Sequence, residues 1–194
     1  MRELPRRLWH IFGGLCLAVA GLVAPENIFL PALISATTAF LILELIRLKS
    51  PQVNRRFLAL FHLLLREREA STLTGSAYLL IAACIVFLLC DRYIAVMALA
   101  FVAVGDPVSG IVGERWGKPK IRDKSLVGSG ACLLACLVAG AVLAAITQVA
   151  LWLVVIGAVC ATVVEFLSLR INDNLTIPLV SGGAMMLLGL AFVA

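Results

Sequence analysis

Seven apolar runs of 17 to 21 residues, separated by short polar segments, restrict this chain to few folds. A helix needs about 20 apolar residues to cross roughly 30 Å of hydrocarbon, so each run has the length of a membrane span. Hydrophobic residues fill 62% of the 194 positions and charged ones 14%, against about 45–50% and 25% in soluble domains. The sequence predicts an all-α, polytopic membrane helix bundle, a single domain over residues 1–194. The predicted spans are Leu8–Ala24, Ile28–Ile46, Leu73–Cys90, Tyr93–Val112, Leu126–Ile146, Ala150–Leu169 and Thr176–Ala194.

One further stretch, Pro51–Leu65, is amphipathic. Arg55 and Arg56 stand beside Phe57 and Phe61 on a segment too polar to cross a bilayer. Such a helix lies in the membrane interface with its apolar face toward the acyl chains. We therefore expect an interfacial helix between the second and third spans.

The cations predict the orientation. Fifteen of the 16 Lys and Arg residues fall on one side of the predicted bundle, and only Arg92 falls on the other. Positive residues concentrate in cytoplasmic loops, so this side is predicted to be cytoplasmic, with the N-terminus inside and the C-terminus outside. The net charge of +5 is then mostly a topogenic signal that also attracts anionic lipids, and nucleic-acid binding is not expected. In a prokaryote this would be a multi-pass plasma-membrane protein.

The N-terminus has features of a signal peptide. Arg2–Arg7 precede an apolar run, but the next loop, Pro25–Asn27, is very short and no exported soluble domain follows it. We expect a retained span.

The six cysteines lie within or at the ends of apolar runs, with no CxxC or Cys/His metal spacing. They are interpreted as small buried residues, not as a disulfide framework or a zinc site.

The segment Gly105–Gly130 concentrates glycine and positive charge between two apolar runs. Its glycines would let backbone amides approach anionic oxygens, a composition that suits a phosphorylated substrate at the membrane surface. It is not a Walker A loop, because Pro119 follows the lysine where Ser or Thr is required. The alternative is an ordinary topogenic basic loop. The cations concerned are Arg115, Lys118, Lys120, Arg122 and Lys124.

Acidic residues near the spans are costly unless they are partnered, and they often mark function. Asp106 lies between Gly105 and Pro107, where we expect the fourth span to break and line a cavity. Glu165 lies about one turn from the end of the sixth span, and Asp173 follows that span on the same side. Glu44 has a cation, Arg47, on its own helix face and is equally well explained as a helix-end ion pair.

Carboxylates together with lysines suit phosphoryl transfer. The predicted metal ligands Asp106, Glu165 and Asp173 would hold Mg²⁺, and the metal and the lysines would neutralise phosphate charge. The acceptor is expected to be a lipid, because the site lies at the edge of the bilayer with no soluble domain beside it.

Five separated elements of the chain follow, in order, the pattern of a known family. They are Glu3-Leu4 with Arg6-Arg7, His10 and Gly14; Glu44 with Arg47; Arg66-Glu67, Glu69, Leu73-Thr74-Gly75 and Tyr78; Gly105-Asp106-Pro107, Gly113, Gly117-Lys118, Lys120, Lys124-Ser125 and Gly128-Ser129; and Glu165 with Asp173-Asn174-Leu175-Thr176-Ile177-Pro178-Leu179. Through these elements the chain resembles the polyprenol kinase family, which includes dolichol kinase, phytol kinase and a CTP-dependent diacylglycerol kinase. Val127 departs from the family's usual Glu, and Asn172 stands where Asp is often found.

The resemblance implies that the chain transfers the γ-phosphoryl group of CTP to the hydroxyl of a polyprenol, a phytol-like isoprenoid or diacylglycerol. The catalytic candidates are Asp106, Lys118, Lys124, Glu165 and Asp173. The candidates for nucleotide contacts are Gly105, Gly117, Lys118, Lys120, Lys124, Ser125, Gly128, Ser129, Asn174 and Thr176. Candidates for the rim of the site are Arg7, His10, Glu44, Arg66, Glu67, Glu69 and Thr74. The general base stays open between Asp106 and Glu67.

Two other functions remain open. A phosphatidate cytidylyltransferase, which makes a CDP-lipid from CTP, needs the same residue types. A small membrane transporter is the more remote alternative, because transporters have repeated halves and midplane sites, whereas here the polar residues crowd one face. A homodimer is possible, since small residues such as Gly130 and Gly140 permit close helix packing.

Overall fold

The computed structural model describes residues 3–121, 124–167 and 171–193, with the backbone alone at 120, 121, 192 and 193. This part of the chain forms eight α-helices, a short 3₁₀ helix at Glu67–Ala70 and a two-stranded antiparallel ribbon. The helices are α1 (Leu4–Val23), α2 (Glu26–Lys49), α3 (Pro51–Phe61), α4 (Gly75–Leu89), α5 (Arg92–Trp116), α6 (Leu126–Thr147), α7 (Leu151–Leu167) and α8 (Asp173–Val193). The strands are β1 (Lys120–Ile121) and β2 (Lys124–Ser125), with Lys120 opposite Ser125.

Five of these helices, α1, α2, α5, α6 and α8, are long and apolar enough to cross a membrane. The helices α4 and α7 are apolar but shorter, at 15 and 17 residues. With the amphipathic α3 they complete the predicted order of seven apolar helices and one amphipathic helix. The predicted all-α membrane bundle is confirmed, and the chain is a multi-pass membrane protein.

Helix α5 forms the centre of the bundle. Every residue from Ile94 to Ala103 is buried, as expected of a helix that is apolar all round. Helices α1, α6, α7 and α8 pack around it. Small residues allow the close approach: a Cβ at Gly14 of α1 would lie 2.6 Å from the Cβ of Ala103.

Consecutive helices run antiparallel, so the polar residues gather at one end. His10 in the first half of α1 contacts the carbonyl of Val102 near the middle of α5 at 3.0 Å, and Arg92 at the start of α5 donates to the carbonyl of Gly21 near the end of α1 at 2.7 Å. We call the end at which α1, α4, α6 and α8 begin the charged end. The predicted exception, Arg92, lies at the other end, where it donates to the last carbonyls of α1.

The predicted break of the fourth span is wrong. Helix α5 continues through Gly105, Asp106 and Pro107 to Trp116. Proline removes one backbone hydrogen bond from a helix, and neighbouring helices in a bundle can compensate for that loss. Gly105 serves packing instead, because a Cβ there would lie 2.9 Å from the sulfur atoms of Cys132 and Cys136 on α6.

Candidate active site

Lys124, on strand β2, is the point on which three separate helices converge. Its Nζ lies 3.8 Å from Oδ1 of Asp106 on α5 and 3.8 Å from Oδ2 of Asp173 at the start of α8. It also donates a hydrogen bond to Oε1 of Glu165 on α7. Three carboxylates separated by up to 67 positions in the chain therefore share one ammonium group.

Glu165 is the fixed member of this cluster. It is completely buried, and its oxygens accept from the hydroxyls of Ser109 at 2.7 Å and Ser129 at 3.2 Å as well as from Lys124. A buried carboxylate is tolerated when its lone pairs are satisfied in this way. Burial alone would lower the pKa of Lys124, but the charges of Asp106, Glu165 and Asp173 outweigh that effect and raise the pKa above its usual value. Lys124 is therefore a permanent ammonium at neutral pH.

A cavity of about 660 Å³ opens beside this cluster. Its charged lining includes Asp106, Lys124, Arg6, Arg7 and Arg66. Its apolar lining consists of Trp9, Phe40, Phe57, Phe61, Leu64, Leu65 and Leu79. The volume is typical of small-molecule sites. Four cations and four carboxylates among the described residues line the cavity, the carboxylates being Glu3, Glu69, Asp106 and Glu114, so a ligand there would meet charged groups of both signs.

The segment that carries Arg66 to the cavity is held by a buried network. Arg47 is 1% exposed and donates to the carboxylate of Glu44, to Oδ1 of Asn54 at 2.9 Å, and to the backbone carbonyls of Glu69 and Thr72 at 2.9 and 2.8 Å. Glu44 in turn accepts from the backbone N–H of Thr74 at 2.9 Å. The network fastens the 3₁₀ helix and the start of α4 to the end of α2.

Many of the predicted site residues do meet at the charged end. Those that line the cavity are Asp106, Lys124, Ser125, Asn174, Arg7, His10, Arg66, Glu69 and Thr74. Asn174 also donates from Nδ2 to the carbonyl of Gly75 at 2.8 Å, which joins the start of α8 to the start of α4. Arg7 is paired with Glu114 across α1 and α5.

Other predicted residues lie elsewhere. Lys118 and Glu67 are exposed and fall outside the described lining of the cavity. Glu44 is not a rim residue but a buried ion-pair partner, 2% exposed. Thr176 is buried and donates to the backbone carbonyl of Asn172 within the first turn of α8. The side chain of Lys120, like Arg122 and Arg170, lies outside the described residues.

The glycines of the basic segment enclose Ser125. A Cβ at Gly113, Gly117 or Gly128 would lie 3.0, 2.0 or 3.0 Å from Ser125 Oγ, so larger residues would displace it. Ser125 in turn caps α6 by accepting from the backbone N–H of Gly128 at 3.1 Å. The predicted role of Gly128 as a free amide donor therefore needs correction, because that amide already has a partner. We call this arrangement the glycine seat.

The three predicted metal ligands converge, but Lys124 takes the place between them. Among the described residues, no group of three or more His, Cys, Asp or Glu side chains is placed to hold a metal ion. Glu165 does not fit a metal, because its oxygens are engaged by two hydroxyls and an ammonium. Asp106 and Asp173, which keep 18% and 16% of their side chains exposed, do fit Mg²⁺, which is commonly bound through one or two carboxylates plus substrate phosphates.

Sequence reasoning missed three residues of the site. Ser109 lies three positions after Asp106, on the same helix face, and an unbroken α5 would have placed it beside Glu165. Arg6 lines the cavity, although in the sequence it stands out only as a topogenic charge and a member of the first family element, not as a site candidate. Asn172 lines the cavity and accepts from the N–H of Asn174 at 3.0 Å, a capping role that an Asp fills equally well. Val127, where the family has Glu, is half-exposed and outside the described lining.

Two of the relatives found by comparison with known proteins are lipid kinases. The chain is 32% identical over 133 residues to CTP-dependent diacylglycerol kinase 1 of Eremothecium gossypii and 29% identical over 133 residues to the enzyme of that name from Saccharomyces cerevisiae. Each alignment covers 66% of this chain but only 41% and 45% of the respective kinase, so the chain spans less than half the length of these relatives.

A third relative is an uncharacterized protein of Rickettsia prowazekii, 24% identical over 184 residues, or 91% of this chain and 90% of that protein. No protein-family profile matches the chain, and no solved structure matches it. The alignments with the two kinases agree with the predicted resemblance to lipid kinases: along 66% of its length, this chain is similar to CTP-dependent diacylglycerol kinases.

Proposed function

We propose that this protein is a CTP-dependent kinase that phosphorylates the hydroxyl group of a membrane lipid. The observation that carries the proposal is the meeting of Asp106, Glu165 and Asp173 around Lys124 beside a cavity lined by charged residues of both signs. Phosphoryl transfer depends mainly on positioning and on stabilising the charge of the transferred group. A fixed ammonium beside two part-exposed carboxylates provides both.

In the proposed reaction the lipid hydroxyl oxygen attacks the γ-phosphorus of CTP. A new O–P bond forms, the bond from the γ-phosphorus to the bridging oxygen breaks, and CDP leaves with that electron pair. Lys124, Arg6 and Arg66 would neutralise phosphate oxygens, since all three line the cavity. Of the two candidate bases, Asp106 lines the cavity and Glu67 is exposed outside it, which favours Asp106 as the acceptor of the hydroxyl proton.

Asp106 and Asp173 are the residues that would hold Mg²⁺ together with the phosphates. When bound, the ion would neutralise charge on the transferred group. Glu165 has a different role in this proposal: it orients Lys124, with Ser109 and Ser129 holding its own carboxylate.

The donor and the acceptor are proposed from the relatives. Both named relatives are CTP-dependent diacylglycerol kinases, which makes CTP the first donor and diacylglycerol the first acceptor to test. Polyprenols and phytol-like alcohols are the further acceptors that the family resemblance suggests. The density of Lys and Arg at the charged end favours a cytoplasmic site, where CTP is available.

The test is an assay of purified protein in mixed micelles with γ-labelled CTP or ATP and a panel of diacylglycerol, polyprenol and phytol. We expect label in the lipid with CTP, and we expect Asp106→Asn to lose at least about a hundredfold in turnover. The matched control is Asp91→Asn at the opposite end, where Asp91 caps α5 and Asn caps equally well. Transfer absent from wild-type protein with every pair of substrates would refute the proposal.

The products separate this function from its nearest rival. A cytidylyltransferase acting on phosphatidate would release pyrophosphate and yield a CDP-lipid. The proposed kinase releases CDP and yields a lipid phosphate, so CTP labelled in the α-position should leave no label in the lipid.

A further inference from the structure

Apart from Leu79, the apolar wall of the cavity is not part of the buried hydrophobic core. Phe57 and Phe61 lie one turn apart on α3, with ring centroids 4.8 Å from each other, and both line the cavity. No residue of α3 is buried, although the helix is strongly amphipathic. A helix whose apolar face lines an opening instead of a packed core leaves that face to a ligand.

The remaining apolar lining comes from neighbouring elements. Phe40 belongs to α2, Leu64 and Leu65 follow α3, and Trp9 on α1 is 49% exposed at the edge of the cavity. These side chains have few polar atoms to offer, so a polar base or sugar would lose hydrogen bonds there. A hydrocarbon chain would lose no hydrogen bonds there, so the apolar wall suits a hydrocarbon chain better than a base or a sugar.

The same cavity has a charged wall, formed by Asp106 of α5 and by Lys124 of β2. A ligand that contacts both walls must carry a hydrocarbon tail and a polar head group. The position of α3 favours a ligand that comes from the bilayer: Arg55 and Arg56 are exposed, and Leu60 is 74% exposed and outside the described lining of the cavity. An amphipathic helix of this kind lies at the level of lipid head groups.

We propose that the groove formed by Trp9, Phe40, Phe57, Phe61, Leu64 and Leu65 binds the first part of the acceptor lipid's tail and thereby directs its hydroxyl toward Asp106. This inference rests on the proposed function and extends it by naming where the acceptor binds. It separates the two substrates: the lipid lies against α3, and the triphosphate lies against Arg6, Arg66 and Lys124.

The kinetic test compares alanine variants of three apolar residues of α3, two that line the cavity and one that does not. Phe57→Ala and Phe61→Ala should each raise the KM for diacylglycerol, measured as mole fraction in mixed micelles, by about tenfold, because part of the apolar contact is lost. The KM for CTP should change less than about twofold. Leu60→Ala is the matched control, since Leu60 lies on the same helix outside the described lining, and both constants should stay at the wild-type values.

A photolabelling experiment, which measures binding and needs no turnover, accompanies the kinetic test. Diacylglycerol with a diazirine in one acyl chain, irradiated with wild-type protein without nucleotide, should label peptides that contain Phe57 and Phe61. The labelling should fall at least about fivefold with unlabelled diacylglycerol in excess. Phe61→Leu is the substitute variant if Phe61→Ala fails to fold. Because it keeps an apolar side chain, it should bind diacylglycerol nearly as well as wild type.

The outcomes are distinguishable. Labelling confined to peptides that contain none of the six groove residues, equal acceptor KM values for Phe61→Ala and Leu60→Ala, or a raised KM for CTP in place of diacylglycerol would each overturn the proposed groove. Failure of the proposed function alone would give photolabelling at α3 with no phosphoryl transfer by wild-type protein.

Discussion

Arg47 and Glu44 form a two-pronged ion pair inside the protein, with Nη2 2.9 Å from Oε2 and Nε 3.2 Å from Oε1. Both side chains are 2% exposed. The pair connects the end of α2 to the segment that bears Arg66, so it positions one wall of the cavity without touching the proposed reaction.

This relationship predicts a large effect of a small change. Glu44→Gln keeps the shape but leaves a buried guanidinium without its counter-charge, which should lower the free energy of unfolding by about 3–5 kcal/mol. Glu26→Gln, on the exposed first turn of the same helix, should cost less than about 1 kcal/mol. Thermal unfolding in detergent measures both, and equal midpoints for the two variants would contradict the interpretation.

A second prediction separates a metal ligand from a residue that orients Lys124. Asp173→Asn should raise the Mg²⁺ concentration needed for half-maximal activity by at least about tenfold, with activity partly restored by excess Mg²⁺. Glu165→Gln removes the buried charge that holds Lys124, so its activity should fall without such rescue. Titration of the lipid kinase activity with Mg²⁺ measures both variants. Rescue of Glu165→Gln by Mg²⁺ would assign Glu165 to the metal instead.

The third prediction concerns the hydroxyl of Ser109. Ser109→Ala removes a 2.7 Å hydrogen bond to buried Glu165 and should reduce turnover about tenfold to a hundredfold, which corresponds to about 1.5–3 kcal/mol. Ser181→Ala is the control, because Ser181 is equally buried but donates only to the carbonyl of Ile177 in its own helix. Turnover of Ser181→Ala should match wild type. Equal losses in the two variants would mean that any buried serine matters, and Ser109 would have no special role.

Two consecutive glycines give a fourth prediction. A Cβ at Gly14 would lie 2.6 Å from the Cβ of Ala103, so Gly14→Ala should push α1 away from α5 and cost about 1–3 kcal/mol of stability. A Cβ at Gly13 would meet no atom within 4 Å, and Gly13→Ala should stabilise the helix by up to about 1 kcal/mol. Opposite signs in the unfolding midpoints are the expected result. A loss of stability in both variants would show that helix α1 tolerates no added methyl group on either face.

The helices could be predicted because apolar runs of this length have few other structures available to them. The errors lie where local sequence and packing compete. Gly105-Asp106-Pro107 has the composition of a break, yet surrounding helices keep α5 continuous. The amphipathic helix ends at Phe61, earlier than the predicted Leu65, because the chain turns there toward Arg66.

The sequence predicts which carboxylates and lysines form the site, but it does not predict which of these side chains contact one another. Asp106, Glu165 and Asp173 were identified because unpartnered carboxylates at span ends are costly. That Lys124 would lie between them follows only from the packing of α5, α7 and α8. The pairing of Arg47 with Glu44 could be predicted from their spacing on one helix. Ser109 has its role through a tertiary contact with Glu165, so nothing local distinguishes it from an ordinary helix residue.

The glycine seat has a consequence for how related chains can vary. Ser125 is held by α5 and by the first turn of α6, and Lys124 is its direct neighbour on the backbone. The depth of the ammonium group is therefore set by two helices in contact together with the ribbon in which β1 pairs with β2, and less by the length of the turn between the strands. A chain with additional or fewer residues between Gly117 and Lys124 should keep the same charge at the same place, provided that the three glycines and the serine are retained.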